Sequence, residues 1–81
     1  MPEQRPQTFG EKAVGLSINA SGMSDVDKLK KLYADIIDHL DDFRSGYISR
    51  DDNPDMVRLC SIAITEAQTA QMWAVKAVTW R

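Results

Sequence analysis

Cysteine and histidine are almost missing from this 81-residue sequence, which has one of each, Cys60 and His39. A single cysteine excludes an internal disulfide, and its position inside an apolar stretch suits a reducing compartment. A chain this short forms one small domain that buries only about 60 to 65% of the surface of its unfolded state. Because neither a disulfide nor a metal cluster is available to stabilise such a domain, association into an oligomer is the remaining route.

Long apolar runs and an excess of positive charge are also missing. No stretch of about 18 apolar residues occurs, and residues 1–10 lack the apolar core of a signal peptide, so we expect neither a membrane partner nor export. Ten Lys and Arg residues face twelve Asp and Glu residues, for a net charge of -2. Binding to duplex nucleic acid depends mainly on neutralising many phosphates, so we expect no duplex nucleic acid partner.

The apolar residues that are present predict an all-α fold. We expect an antiparallel two-helix hairpin over residues 24–81, preceded by a non-periodic lead-in over residues 1–23. The first helix is predicted from about Asp25 to Phe43, with Ser24 as its N-cap. Its apolar residues recur at spacings of three and four, which predicts one buried stripe. The stripe consists of Val26, Leu29, Leu32, Tyr33, Ile36, Ile37, Leu40 and Phe43.

The second helix is predicted from about Pro54 to the end of the chain. The preceding segment, residues 44–53, contains Ser45, Gly46 and two aspartates, which favour turns over helix interiors. Asn53 followed by Pro54 is typical of an N-cap and the first residue of a helix. We therefore expect residues 44–53 to form the link of the hairpin.

This second helix has more apolar surface than one partner helix can cover. A seam of small residues allows another helix to approach closely, and it consists of Ala63, Ala67, Ala70, Ala74 and Ala77. Larger apolar residues flank the seam, with Leu59, Ile62, Trp73 and Trp80 on one side and Cys60, Ile64, Val75 and Val78 on the other. We therefore expect contacts with other subunits. The alternative is a monomer in which the lead-in folds over the exposed face.

The lead-in contains groups suited to a nucleotide. Phe9 offers a ring on which a base can stack, and glycines at 10, 15 and 22 allow backbone to approach a phosphate. Ser21 and Gly22 run into the N-terminus of the first predicted helix, where unpaired N–H groups favour an anion, and Lys28 follows one turn later. The alternative is an ordinary capping loop with solvated lysines.

Arg58 is a candidate at the other end of the hairpin. It lies in the second turn of the second predicted helix, where the helix dipole does not favour a cation, and its guanidinium has the planar fork of donors that suits phosphate. In an antiparallel hairpin Lys28 and Arg58 lie roughly 25 to 30 Å apart. One small ligand can contact both only if they belong to different subunits; the alternative for Arg58 is a solvated surface side chain.

Metal binding and catalysis have little support. Asp35, His39 and Asp42 share one helix face, but no further ligands are evident, so we expect a solvated face and no metal or other cofactor. Nucleophilic and acid–base chemistry need a base within hydrogen-bond reach of the nucleophile. Cys60 and His39 lie on different predicted helices without a recognisable signature, so we expect no enzyme.

The run from Arg58 to Ala77, with Met72-Trp73-Ala74 inside the alanine seam, resembles the helical-hairpin domain of phage anti-CBASS sponges, also found in anti-Thoeris sponges. Residues 11–15, Asn19, Gly22 and residues 32–38 extend the resemblance over about residues 9 to 80. The resemblance implies a phage protein in the host bacterial cytoplasm that forms a compact homohexamer. Such proteins bind cyclic dinucleotides, and in many members cyclic trinucleotides at separate sites, so that the defence effector is not activated.

The resemblance also implies roles for individual residues. The aromatic residue that stacks on a base corresponds to Phe9, and Arg58 faces a cyclic trinucleotide in the second kind of pocket. Contacts with phosphate and ribose correspond to Lys12, Asn19, Ser21, Gly22 and Lys28. The chain departs from the family at two positions, because Ala20 stands where the family has proline and Phe9 where it has tyrosine. These changes affect the shape of the loop and one hydroxyl contact.

One other function is compatible with the same residues, and another lacks the groups that it needs. A phage protein could use the apolar second helix to dock on a host protein and inhibit it, and it would then be a stable monomer that takes up no cyclic nucleotide. A hydrolase of the cyclic signal would need a metal set or an acid–base pair, which the sequence does not offer.

Overall fold

The computed structural model describes residues 6–16, 24–50 and 53–80. Within these ranges the chain has three helices and no strand: α1 spans Phe9–Val14, α2 spans Asp25–Arg50 and α3 spans Pro54–Val78. The all-α prediction is therefore confirmed. Arg44, late in α2, contacts Ser61, early in α3, whereas Ile37 and Ile64, further from the link, share the core. The two long helices thus form an antiparallel hairpin.

Both predicted helix starts are confirmed by their caps. The Ser24 hydroxyl accepts a hydrogen bond from the Asp27 N–H at 3.2 Å. The Asn53 side chain accepts one from the Met56 N–H at 3.2 Å, and Pro54 occupies the start of α3. These side chains replace hydrogen-bond partners that the first turn of a helix lacks. At its other end α3 stops at Val78, short of the chain end at which it was predicted to finish.

The predicted end of the first helix near Phe43 is wrong, because α2 continues for two more turns to Arg50. Local contacts favour the extension. The Ser45 hydroxyl donates to the carbonyl of Asp41 at 2.8 Å, and the rings of Phe43 and Tyr47 lie 5.1 Å apart, one turn from each other. Such contacts offset the cost of Gly46 in a helix, about 1 kcal/mol relative to alanine.

The lead-in contains a helix that periodicity did not predict. The Thr8 hydroxyl accepts from the Glu11 N–H at 3.0 Å while the Glu11 carboxylate accepts from the Thr8 N–H at 2.9 Å, which is a capping box. Gly15 ends α1 in the left-handed conformation at a φ of 71°, and Leu16 N–H donates to the Glu11 carbonyl at 2.9 Å. The helix is only six residues long, too short for an apolar period to show.

All three helices contribute to one small core. Its buried members are Val14, Leu16, Ala34, Ile37 and Ile64, and Ala13, Tyr33, Leu40 and Ala67 pack partly buried against them. Leu16 and Ile37 are fully buried. Because Val14 and Leu16 belong to the lead-in, its described part, residues 6–16, is packed into the folded unit, and α1 is fixed against the hairpin.

The predicted buried stripe of the first helix is only partly buried in one chain. Ile37 is buried, whereas Leu32, Ile36 and Phe43 are 61%, 50% and 47% exposed. On α3 the buried residues are Cys60, Ile64 and Gln71, and Ala70 and Ala77 of the alanine seam are exposed. The reason is geometric: α3 packs mainly on α2, and α2 packs on α3 and on the short α1, so the remainder of a broad apolar arc stays uncovered.

The described chain is flat and open. Its Cα atoms extend 44 × 36 × 12 Å, and its radius of gyration is 14.6 Å, whereas a compact domain of this length has about 12 Å. In this thin arrangement large apolar side chains stay exposed on α3 and just after it, namely Leu59, Ile62, Met72, Trp73, Val78 and Trp80. In the described residues no helix is both long and apolar enough to cross a bilayer.

Candidate functional site

A close helix crossing at Gly10 sets the position of the lead-in. The Gly10 N–H donates to Asp38 Oδ1 of α2 at 2.7 Å. A Cβ atom added to Gly10 would lie 2.2 Å from the carbonyl oxygen of Ala34, far inside van der Waals contact. Glycine at this position therefore lets the start of α1 lie directly on the backbone of α2.

The other end of α1 is held by side-chain amides. The Gln7 side chain donates to the Leu16 carbonyl at 2.6 Å and thus bridges the two ends of the helix. The Gln68 side chain of α3 donates to the Ala13 carbonyl at 3.4 Å. Lys30 of α2 approaches the Gly15 carbonyl at 3.5 Å. These contacts, together with the buried Glu11 of the capping box, hold α1 in one position on the hairpin.

Phe9 is the first residue of this fixed helix. Its ring is held near the surface, with 46% of the residue exposed. The guanidinium carbon of Arg44 lies over the ring at 5.7 Å from its centre, a distance at which a cation is attracted to an aromatic face. Arg44 Nη2 donates to Asp41 Oδ1 at 2.6 Å, and Nη1 donates to the Ser61 hydroxyl at 3.0 Å. The site thus combines a partly exposed ring with an arginine held by two helices.

The other predicted site residues are distributed along the hairpin. Lys12 lies one turn after Phe9 on α1 and is exposed. Lys28 is exposed in the first turns of α2, and Arg58 is exposed in the second turn of α3, one turn before Ser61. Asn19, Ser21 and Gly22 lie outside the described residues.

The geometry separates Phe9 from Lys28 within one chain. The ring of Phe9 lies beside Arg44, and Lys28 precedes Arg44 by sixteen residues on the same helix. At the rise of an α-helix Arg44 is about 24 Å from Lys28 along α2, and the main chain beside Phe9 lies closer, since Gly10 contacts Asp38, about 15 Å from Lys28. Arg58, in contrast, lies at the same end of the hairpin as Arg44, since Arg44 contacts Ser61. Within one protomer the Phe9 ring therefore lies nearer the Arg58 end of the hairpin than the Lys28 end.

Sequence reasoning missed the residues that support Phe9. The sequence places Arg44 in the predicted link, because Ser45 and Gly46 follow it, and does not single out Asp38. The sequence does contain a signal of α1: the spacing of Thr8, Glu11 and Gly15 matches a capping box followed by a glycine that ends the helix. No sequence pattern indicated the contact between Arg44 and Ser61, which depends on the pairing of the two long helices.

A second surface of interest lies near the end of α3. Lys76 Nζ lies 5.6 Å from the centre of the Trp73 ring and 5.8 Å from that of Trp80, and both tryptophans are about two-thirds exposed. A shallow groove of about 230 Å³ beside them is lined by Thr69, Met72, Trp73 and Lys76. Large aromatic residues with so much exposed surface are typical of interfaces.

The acidic face of α2 and the single thiol are accounted for by structural contacts. Asp35 pairs with Lys31 one turn earlier, and Asp38 accepts from the Gly10 N–H. Cys60 is buried. Among the residues that the structure describes, no group of three or more His, Cys, Asp or Glu side chains is placed to hold a metal ion.

Comparison with known proteins identifies the family. The family model described as Acb2/Tad1, hairpin domain, matches residues 6–79. No curated protein and no solved structure matches the chain. The match covers all three helices and nearly the whole chain, including the site around Phe9. The chain therefore belongs to the Acb2/Tad1 hairpin-domain family, the family of anti-CBASS and anti-Thoeris sponges.

Proposed function

We propose that this protein sequesters cyclic dinucleotides, such as cyclic GMP-AMP, without cleaving them, and so blocks the activation of CBASS effectors in an infected bacterium. The observation that carries the proposal, beside membership of a sponge family, is the setting of Phe9. A helix docked through Gly10 presents its ring partly exposed and held by Arg44. A preorganised aromatic face of this kind stacks a nucleobase at low entropic cost.

The ligand site is completed by a second protomer in this proposal. Both Phe9 and Lys28 are assigned to the dinucleotide, and along α2 Lys28 lies about 15 Å from Asp38, which binds Gly10, and about 24 Å from Arg44, whose guanidinium lies over the Phe9 ring. The exposed apolar side chains of α2 and α3 provide the surface for association. We propose a homohexamer in which Phe9 of one protomer and Lys28 of another contact the same ligand.

The remaining assigned residues take two roles. Lys12, Asn19, Ser21 and Gly22 contribute phosphate and ribose contacts to the dinucleotide pocket. Arg58 binds cyclic trinucleotides in a separate pocket of the oligomer, where its exposed guanidinium can donate two hydrogen bonds to one phosphate. The protein acts in the host cytoplasm and uses no cofactor, because sequestration requires affinity and no chemical step.

Calorimetry against a panel of cyclic di- and trinucleotides tests the proposal. We expect stoichiometric binding by the wild type and full recovery of unchanged nucleotide after the protein is denatured. Phe9→Ala should weaken dinucleotide binding by about 1 to 3 kcal/mol, the usual contribution of a base stacked on an aromatic ring. Arg58→Ala should spare dinucleotides and weaken trinucleotides. Recovery of a linear or hydrolysed product would refute sequestration, and normal binding by both variants would refute the site assignment.

A second candidate function is inhibition of a host protein by docking. The observation that favours it is the pair of exposed tryptophans around Lys76, since Trp is among the residues that contribute most to protein interfaces. Sedimentation distinguishes the two functions. A stable monomer that takes up no cyclic nucleotide would support docking, whereas a hexamer that retains cyclic GMP-AMP would support sequestration.

A further inference from the structure

Contacts with both long helices hold the side chain of Arg44 in place. Its two terminal nitrogens donate to Asp41 on its own helix and to Ser61 on α3. The Ser61 hydroxyl in turn donates to the carbonyl of Val57 at 3.0 Å, which fixes the direction of its lone pairs. Only 19% of the Arg44 side chain is exposed. The guanidinium therefore has one orientation, set from both long helices.

This fixed guanidinium lies over the Phe9 ring at 5.7 Å. The backbone of Phe9 is fixed independently, because the next residue, Gly10, donates to Asp38 and lies against the backbone of Ala34. The ring is thus held through two separate attachments, one at the main chain and one at the aromatic face. A phenylalanine with 46% exposure and neither attachment would exchange between rotamers.

We infer that Arg44 is a positioning residue for ligand binding, which holds the Phe9 ring in the orientation that stacks a nucleobase. The inference rests on the proposed function. Arg44 acts through Phe9, since its charge is already paired with Asp41 and its terminal nitrogens are already engaged. Holding the ring before the ligand arrives raises affinity, because binding then orders no free side chain.

A double-mutant cycle on the affinity for cyclic GMP-AMP tests this inference. We expect Arg44→Gln to weaken binding by about five- to tenfold, the effect of losing a partly buried cation–π contact. In the Phe9→Ala background the same substitution should change affinity by less than about twofold, because the ring through which it acts is gone. Lys31→Gln is the matched control: it removes an ion pair with Asp35 on the same helix, leaves the contacts of Phe9 and Arg44 in place, and should bind as the wild type does.

Two further variants separate positioning from folding. Ser61→Ala removes one acceptor of the guanidinium and leaves both charges, so it should weaken binding by a smaller factor than Arg44→Gln, again only when Phe9 is present. Arg44→Lys keeps the charge and loses the fork, and should behave like Arg44→Gln. If Arg44→Gln does not fold, Ser61→Ala and Arg44→Lys still test whether Arg44 positions the ring.

The outcomes are distinct. Equal losses in the wild-type and Phe9→Ala backgrounds would mean that Arg44 supports the fold or contacts the ligand itself, and would overturn the inference. Unchanged binding by Arg44→Gln and Arg44→Lys, with Phe9→Ala still impaired, would overturn it while leaving the proposed function intact. If the wild type binds no cyclic nucleotide, the proposed function fails, and the role of Arg44 fails with it.

Discussion

Replacing Gly10 with alanine should separate α1 from the hairpin. The added Cβ atom would lie 2.2 Å from the Ala34 carbonyl oxygen and 2.9 Å from Asp38 Cγ. The first of these neighbours is helix backbone, which cannot rotate away. To reach ordinary contact α1 must move by more than about 1 Å, and the 2.7 Å hydrogen bond from Gly10 to Asp38 is then lost.

The magnitude follows from these two effects. Forcing extra volume into a packed contact costs about 1 to 3 kcal/mol, and a hydrogen bond to a charged group contributes about 1.5 to 3 kcal/mol. The effects share one displacement and do not add fully, so we expect a loss of about 3 kcal/mol in the free energy of unfolding. For a domain of this size a loss of 1 kcal/mol in the free energy of unfolding lowers Tm by about 4 to 8 °C. The variant's Tm should therefore fall by at least about 12 °C.

Thermal unfolding followed by circular dichroism measures this loss, at one fixed protein concentration because Tm of an oligomer depends on concentration. Gly46→Ala is the matched control. A Cβ atom at Gly46 would meet nothing within 4 Å, and replacing glycine by alanine inside a helix should stabilise α2 by about 0.5 to 1 kcal/mol. If Gly10→Ala were as stable as the wild type, the close crossing of α1 and α2 would be refuted.

The remaining predictions concern the core and the exposed face. Ile37→Ala should lower the free energy of unfolding, measured in urea, by about 2 to 5 kcal/mol, because Ile37 is fully buried. The control, Ile48→Ala on the same helix, should change it by less than about 1 kcal/mol, because Ile48 is 56% exposed. Equal effects of the two substitutions would contradict the assigned core. Trp73→Glu should dissociate the proposed oligomer in sedimentation without unfolding the chain, because Trp73 is 66% exposed in one protomer. Retention of the full assembly would exclude this surface from the interface.

The parts of the fold that the sequence predicted correctly are those set by local chemistry. Ser24 and Asn53 mark helix starts because their side chains accept hydrogen bonds from N–H groups of the first turn. Pro54 marks a start because it lacks an N–H that would have no partner there. The end of α2 was predicted wrongly for the complementary reason. Ser45 and Gly46 favour a turn by propensity, but the ring contact between Phe43 and Tyr47 and the Arg44 contact with α3 outweigh that preference.

The candidate site was predictable only in part. Phe9 stands out in the sequence as the single aromatic residue of the lead-in, and the structure leaves it 46% exposed. Its supports could not be predicted, because they join residues 28 and 35 positions apart: Gly10 with Asp38, and Phe9 with Arg44. Contacts at such separations depend on how helices pair in three dimensions, which hydrophobic periodicity does not specify.

The distribution of Phe9 and Lys28 leads to one more prediction, on the composition of the binding site. If a ligand contacts Phe9 of one protomer and Lys28 of another, Phe9→Ala and Lys28→Ala proteins, each impaired alone, should recover binding when coexpressed. Random mixing in a symmetric oligomer leaves about one quarter of the sites with both residues intact. If both residues served the ligand from the same chain, every protomer in the mixture would lack one of them, and no site would recover. Calorimetry of the coexpressed assembly with cyclic GMP-AMP therefore distinguishes a shared site from an intrachain site by stoichiometry alone.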